Sequence, residues 1–245
     1  MDRMLFISMS GAKEISLSQA NNSNNLANAN TDGFKKDFNQ FRAQHMEGPG
    51  WNSRSYSMDE RPATDFSAGA VKVTGRNLDI MTKENGFITM LAPDGSEVLT
   101  RTASLRMNPV GELVDSKGDP VLNVGGSPIS LPEYKLIEIS ADGTISVIPS
   151  DSQNDLLVEI DQIKMVTPDI KQLEKGVDGY IRSKENGLGL GNAVLVSGAL
   201  ETSNVNTVES LTTMIELSRK YEMQVKMMKT AKDHSAKSDS LVKLT

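Results

Sequence analysis

Apolar residues follow two rhythms along this chain. Near the start, Leu5, Met9, Ala12 and Ile15 recur at helical spacing on one face, with no proline between Met1 and Asn30. Beyond Ile15 that face turns polar through Gln19, Asn22 and Asn25, until Leu26. Thr31-Asp32-Gly33 then reads as a stop and a turn. The pattern predicts a long helix running into a bed of amides: six of the eleven residues from Ala20 to Asn30 are asparagine. Asparagine is a mediocre helix former, because its side chain competes for nearby backbone groups.

The far end has the same rhythm. Neither glycine nor proline occurs from Asn206 to Lys237. Asn206 followed by Glu209 reads as a capping box. Leu211, Met214, Ile215, Ser218, Tyr221, Val225 and Met228 make one long stripe near a heptad repeat. Burying so thin a stripe does not offset the entropy of ordering the whole helix. This helix therefore needs partners along its length. The first helix is the nearest, and its polar stretch leaves the pair under-buried, so further partners come from other chains.

Between about Ala70 and Ser183 the rhythm changes to short β-branched runs: VKVTG, LDIMTKE, GFITMLA, EVLTRTASLRM, ELVDS, PVLN, LIEIS, TISVIPS and LLVEIDQIKMV. Tight-turn chemistry separates them at Asn85-Gly86, Pro93-Asp94-Gly95, Ala141-Asp142-Gly143 and Asn186-Gly187. That cadence implies antiparallel pairing. The expected fold is α+β: terminal helices packed together in a coiled-coil-like pair (1–32 and 204–245) and a central antiparallel β domain (70–186). A loop-rich connector with GPGWNSRS at its centre spans 33–69, and a second connector spans 187–203.

Composition narrows the function. The 245 residues carry 26 Lys+Arg against 32 Asp+Glu, a net charge of −6, which argues against a nucleic-acid partner. No apolar run approaches the roughly 18 residues of a membrane span, and Leu5–Met9 is too short for a cleaved signal. There is no cysteine, so disulfides and thiolate metal sites are excluded. The two histidines, His45 and His234, lie far apart in sequence, and no hydrolase, zinc-protease or phosphate-loop motif occurs. Gly187-Leu188-Gly189-Leu190-Gly191 reads as a flexible connector, and the Asp-Gly pairs read as hairpin turns rather than calcium loops. No catalytic residue, cofactor or metal is expected, and the chain is not expected to be an enzyme.

What remains is a chain with helices that cannot bury themselves and a dense patch of amides. Each asparagine offers two donors and two acceptor lone pairs. Such a patch can bond to turns and helix ends of neighbouring subunits; a polar, solvated loop is the alternative use.

Asn24-Asn25-Leu26-Ala27-Asn28-Ala29-Asn30-Thr31 followed by Gly33-Phe34-Lys35 resembles the N-terminal signature of bacterial flagellar basal-body rod and hook proteins. Gly198-Ala199-Leu200-Glu201, Ser203-Asn204-Val205, Met214-Ile215 and Arg219-Lys220-Tyr221-Glu222 resemble that family's C-terminal motif. Thr74-Gly75, Leu78-Asp79, Gly86-Phe87, Thr100-Arg101 and Asn108–Val114 follow the pattern of its β domain. The chain departs from the family at Gln19, Asn21, Asn22 and Ser23, where relatives place apolar residues. Length, the opening Met1-Asp2-Arg3 and the compact middle favour a proximal-rod subunit over a distal-rod one.

The resemblance implies a structural subunit, exported through the flagellar type III apparatus and stacked with itself and other rod proteins into a hollow drive shaft in the periplasm. Helices would form the inner tube and the β domain the outer layer. The implied interface is Leu5, Ala12, Ile15, Asn24, Asn25, Leu26 and Asn28 on the first helix. On the last it is Leu211, Met214, Ile215, Tyr221, Val225 and Met228. Phe34 to Phe38 resembles the element by which early export substrates engage the export gate; packing of Phe34 after the turn is the competing use. A carbohydrate-binding β module is the reading from another class, and the single Trp51 with four tyrosines gives it little support.

Overall fold

The computed structural model describes residues 3–45, 55–151, 156–176, 178–184 and 188–242. The chain forms two compact units, one of Met1–Ala29, Lys35–Asp65 and Val205–Thr245, the other of Asn30–Phe34 and Phe66–Asn204. The fold class is α+β, with a helix at each end and antiparallel strands between.

In the first unit, α1 (Arg3–Ala27) packs against α2 (Thr207–Val242). Gly11 lies opposite Gln224, Gln19 opposite Ser218 and Asn22 opposite Ser210, so the helices run antiparallel. Asn206 caps α2 as its sequence predicts: its Oδ1 accepts from the Val208 and Glu209 N–H groups at 3.0 and 3.2 Å. The Glu209 carboxylate, expected to reach back, instead faces Lys36 Nζ at 3.6 Å.

Two strands share this unit, β1 (Asp37–His45) and β2 (Ser55–Thr64), paired antiparallel from Asp37↔Thr64 to His45↔Ser55. The region expected to be a loop-rich connector therefore holds a long β ladder. Its arms are mostly polar, so no apolar alternation betrays them. The register shifts at Asn39/Gln40, beside Pro62, a residue with no N–H to give a ladder. The glycine-proline centre of that connector, residues 48–54, lies outside the described residues.

Among the described residues, the second unit is built from five antiparallel sheets. β3 (Val71–Val73) pairs with β17 (Ala199–Glu201). β4 (Asp79–Thr82) lies between β16 (Leu195–Ser197) and β7 (Thr102–Ser104). The largest sheet runs β13 (Met165–Val166), β5 (Phe87–Leu91), β6 (Glu97–Thr100), β15 (Ile181–Ser183), β14 (Leu173–Lys175). β8 (Arg106–Met107) pairs with β9 (Leu113–Val114), and β10 (Tyr134–Ile139), β11 (Thr144–Pro149) and β12 (Val158–Gln162) form the last sheet.

Their inward faces make one main core around Ile80, Ile88, Leu105, Leu113, Val121 and Ile145, with a smaller one around Phe87, Leu99 and Val166. The turns at Asp94-Gly95 and Asp142-Gly143 are hairpin turns, with both glycines at positive φ. Hydrogen bonds from Ser96 hold the Asp94 carboxyl below its usual range, and the Thr144 N–H does the same for Asp142.

Two differences from the sequence pattern matter. The run EVLTRTASLRM breaks into β6, β7 and β8. The stretch 187–203, expected to be a connector, contains β16 and β17, which complete two sheets. These strands have three residues each and are divided by Gly198 at φ 81°, too short for an alternation to register. The Asn186-Gly187 turn lies outside the described residues.

The end of β17 ties this unit together. The buried Glu201 carboxylate accepts from Arg101 Nε at 2.8 Å and from the Gly69 N–H at 3.0 Å. Its backbone carbonyl accepts from the Gly33 N–H at 2.8 Å. Gly69 is required there: a Cβ would stand 1.9 Å from the Thr202 carbonyl oxygen. Arg101 is itself buried, with its guanidinium 5.8 Å from the centre of the Phe87 ring. Glu201→Ala would strand a buried cation, and it is expected to cost about 3–5 kcal/mol in denaturant unfolding. Removing the exposed Lys184–Glu174 pair by Lys184→Ala is expected to cost no more than about 1 kcal/mol.

Candidate assembly surface

The helix pair meets through small and polar side chains. On α1, Ser8, Ala12 and Asn22 are buried, with Leu5, Ile15, Gln19 and Leu26 half-buried between them. On α2 the corresponding residues are Ser210, Leu217, Gln224, Met228 and Ala231. A Cβ on Gly11 would sit 3.2 Å from the Gln224 amide, so the helices approach closely at that point. The seven-residue spacing of Leu5, Ala12, Gln19 and Leu26 was present in the sequence. Met9, which the apolar pattern put on this face, is exposed instead, and Ser8 takes its place. Glu14 is also buried, and its Oε2 meets no hydrogen-bond partner.

The asparagines answer the question their density raises. Asn25, only 2% exposed, donates its amide to the Asp37 carbonyl at 2.7 Å and accepts the Asp37 N–H at 3.0 Å. The side-chain amide thus acts as one more strand residue at the start of β1. Asn21 hydrogen-bonds Asn39 on the same strand. Asn22 donates to the Ser210 carbonyl at 2.7 Å, holding the first turn of α2. These three amides bond within the chain, where the sequence suggested bonds to neighbouring subunits. Asn24 is exposed, and its carbonyl accepts the Asn28 side chain at 3.0 Å. The helix tolerates its asparagines because side chains from three of them leave it for fixed partners.

The larger apolar residues of α2 point elsewhere. Ile215 is 56% exposed and Leu211 50%, with Tyr221 and Val225 also exposed, while Met214 and Met228 are half-buried. The predicted stripe therefore straddles two faces, and only its edge meets α1. On α1, Phe6 and Met9 are likewise exposed. Leu5, Phe6, Val225 and Met228, with Lys229 and Lys232, line a nearly wholly apolar groove.

The Phe34–Phe38 element is divided between the two units. Phe34 is half-buried, with Lys175 Nζ 4.0 Å from its ring centre, whereas Phe38 is exposed on β1. Trp51 lies outside the described residues. Among the described residues, no group of His, Asp and Glu is placed to hold a metal, and no helix is long and apolar enough to cross a membrane.

Asn25→Leu keeps the volume and removes both bonds to Asp37. It is expected to destabilise the helix–strand unit by about 1–3 kcal/mol for each polar group left unpaired. Amide hydrogen exchange at Asp37 and Phe38 measures the effect. Asn24→Leu, at an exposed position, is expected to stay within about 0.5 kcal/mol of the parent.

Residues 196–241, which span β16, β17 and α2, match the family model described as the flagellar basal body rod FlgEFG protein C-terminal domain. Residues 82–147 match the flagellar hook protein FlgE/F/G D1 domain. The chain is 33% identical over 254 aligned positions to the flagellar basal-body rod protein FlgF of Escherichia coli (strain K12), covering 100% of both chains. It is 30% identical to FlgF of Caulobacter vibrioides over 93% of each chain. Against the basal-body rod protein FlgG of Buchnera aphidicola subsp. Acyrthosiphon pisum it is 30% identical, over 93% of this chain and 95% of the relative. Matched from end to end, with the C-terminal helix and the β unit each carrying a family domain, the chain belongs to the flagellar basal-body rod protein family.

Proposed function

We propose that the chain is a structural subunit of the proximal rod of the bacterial flagellar basal body, of the F type, with no enzymatic role. The rod spans the periplasm. The single observation that carries the assembly reading is the uncovered apolar face of α2, formed by Leu211, Ile215, Tyr221 and Val225. Apolar side chains in a row along a helix are costly in water, and neighbouring subunits would cover them. In a rod each subunit offers one face to a different face of the next, so contacts repeat without closing. The helices of successive copies and of other rod and hook proteins pack in a coiled-coil-like layer around a channel. The β units stand outside, and the stack transmits torque.

Subunits of such a shaft travel through the flagellar type III apparatus as unfolded chains. Phe34 and Phe38 are accessible in that state, and we assign them to the export gate before folding. Packing of Phe34 beneath Lys175 is its second use, in the folded chain.

Replacing Ile215 with aspartate tests the reading. At this exposed position the carboxylate is harmless in the monomer, but burial against a neighbour would strip its water. The expected result is normal secretion and an unchanged monomer melting temperature, with no incorporation into rods and no swimming. Wild-type swimming by the Ile215→Asp strain would remove the α2 face from the assembly.

A further inference from the structure

Among the described residues, β3 and the Val158–Ile160 part of β12 have no strand on their outer side, while the far end of β12 is covered, its Gln162 carbonyl accepting the Val124 N–H at 3.2 Å. β12 ends the order β10-β11-β12, and β3 pairs only with β17 among the described residues. Edge strands present unpaired N–H and C=O groups, and proteins usually protect them with charge, proline or a covering element. Here each edge carries exposed apolar residues on both sides of a single charge, Lys72 on β3 and Glu159 on β12. Leu156 and Leu157 precede β12, and these two, Val158 and Ile160 are all exposed. On β3, Val71 is 59% and Val73 81% exposed.

The two edges are also complementary. β12 reads Val158-Glu159-Ile160 and β3 reads Val71-Lys72-Val73. Each is a charged residue between two β-branched ones, and the charges are opposite. Glu159 and Lys72 are both exposed, and neither has an ion-pair partner among the described residues. The remaining acid on β12, Asp161, is already engaged by Asn123 at 2.9 Å.

We propose that β3 of one copy adds to the β12 edge of the next, joining the β units of neighbouring subunits by strand pairing. In the antiparallel register Lys72 faces Glu159, Val71 faces Ile160 and Val73 faces Val158. Opposite charges and β-branched pairs across a ladder are both stabilising, and the backbone groups left open on each edge satisfy one another. Pairing of like edges is disfavoured, because β12 on β12 sets acid against acid and β3 on β3 sets Lys72 against Lys72. The contact is heterologous, so it propagates along a stack instead of closing a dimer. It rests on the reading that copies stack in a rod, and the Ile215→Asp strain tests that reading separately.

The absence of cysteine makes crosslinking unambiguous. The full-length chain carrying both Val73→Cys and Val158→Cys is expressed in cells, and rods are isolated and oxidised. The same variant is oxidised as purified protein at high concentration. The expected result is a ladder of covalent multimers from the double variant and none from either single variant. Adding Lys72→Glu is expected to abolish the ladder, and adding Glu159→Lys to that chain is expected to restore it. Melting should be unchanged throughout, since both side chains are exposed. Dimers from Val158→Cys alone would replace this contact with β12 pairing on itself. No ladder in rods that contain the chain and none in the purified protein, or a ladder indifferent to charge reversal, would overturn the proposal while leaving the rod assignment intact.

Discussion

Two helices that meet through small and polar side chains have to leave their large apolar ones facing away. The seam between α1 and α2 is made by Ala12, Gln19 and Asn22 against Ser210, Gln224 and Ala231, with Gly11 admitting the Gln224 side chain. It allows a close approach and little apolar burial. Phe6 and Met9 on one helix and Leu211, Ile215 and Val225 on the other stay in contact with water. Leu5, Ile15, Leu26, Leu217 and Met228 border this seam but are only half-buried, and a seam that buried its large apolar residues fully would have produced a self-sufficient hairpin of helices. This one holds the helices in register while keeping an apolar surface for other chains.

The hydrogen bonds follow from the same constraint. Since the seam is weak in apolar area, position is fixed by amides: Asn25 clasps Asp37, and Asn22 holds the Ser210 carbonyl. One bond joins α1 to β1 and the other joins α1 to α2, and each satisfies a backbone group that a leucine would strand. The β unit depends on none of this. It has its own aliphatic core and its own buried tie, the Glu201 carboxylate joining Arg101 and Gly69. Local stability is therefore expected to differ sharply between the units, in proportion to the apolar contacts each one makes.

Much of this was legible in the residues. The helix ends, the Asn206 cap and the turns at Asp94-Gly95 and Asp142-Gly143 were written in local chemistry that tertiary packing did not override. The β1–β2 ladder was not, because its arms are polar and its partner is the side-chain amide of Asn25, a long-range bond no local pattern encodes. β16 and β17 escaped because three-residue strands carry no period. The apolar stripe on α2 was found, but only its edge meets α1, and Leu211, Ile215, Tyr221 and Val225 face away from that helix. Apolar spacing identifies which residues need cover, and it does not say whether the cover is α1 or another chain. Ser8, Ser210 and Gln224 were missed because small and polar residues at seven-residue spacing look like a solvated face until a second helix lies on them.

The claim that the helix unit is incomplete without neighbours is tested most directly by amide hydrogen exchange on a verified monomer, compared with the same chain in rods. In the monomer, slow exchange is expected at Ile80, Ile88, Leu105, Leu113 and Val121 in the β unit. Exchange along α1 and α2 is expected to be faster by orders of magnitude, and to fall to the level of the β core once the chain is in the rod. Equal, strong protection of both helices and the β core in the monomer would contradict the account, since it would mean that the pair of helices is already complete.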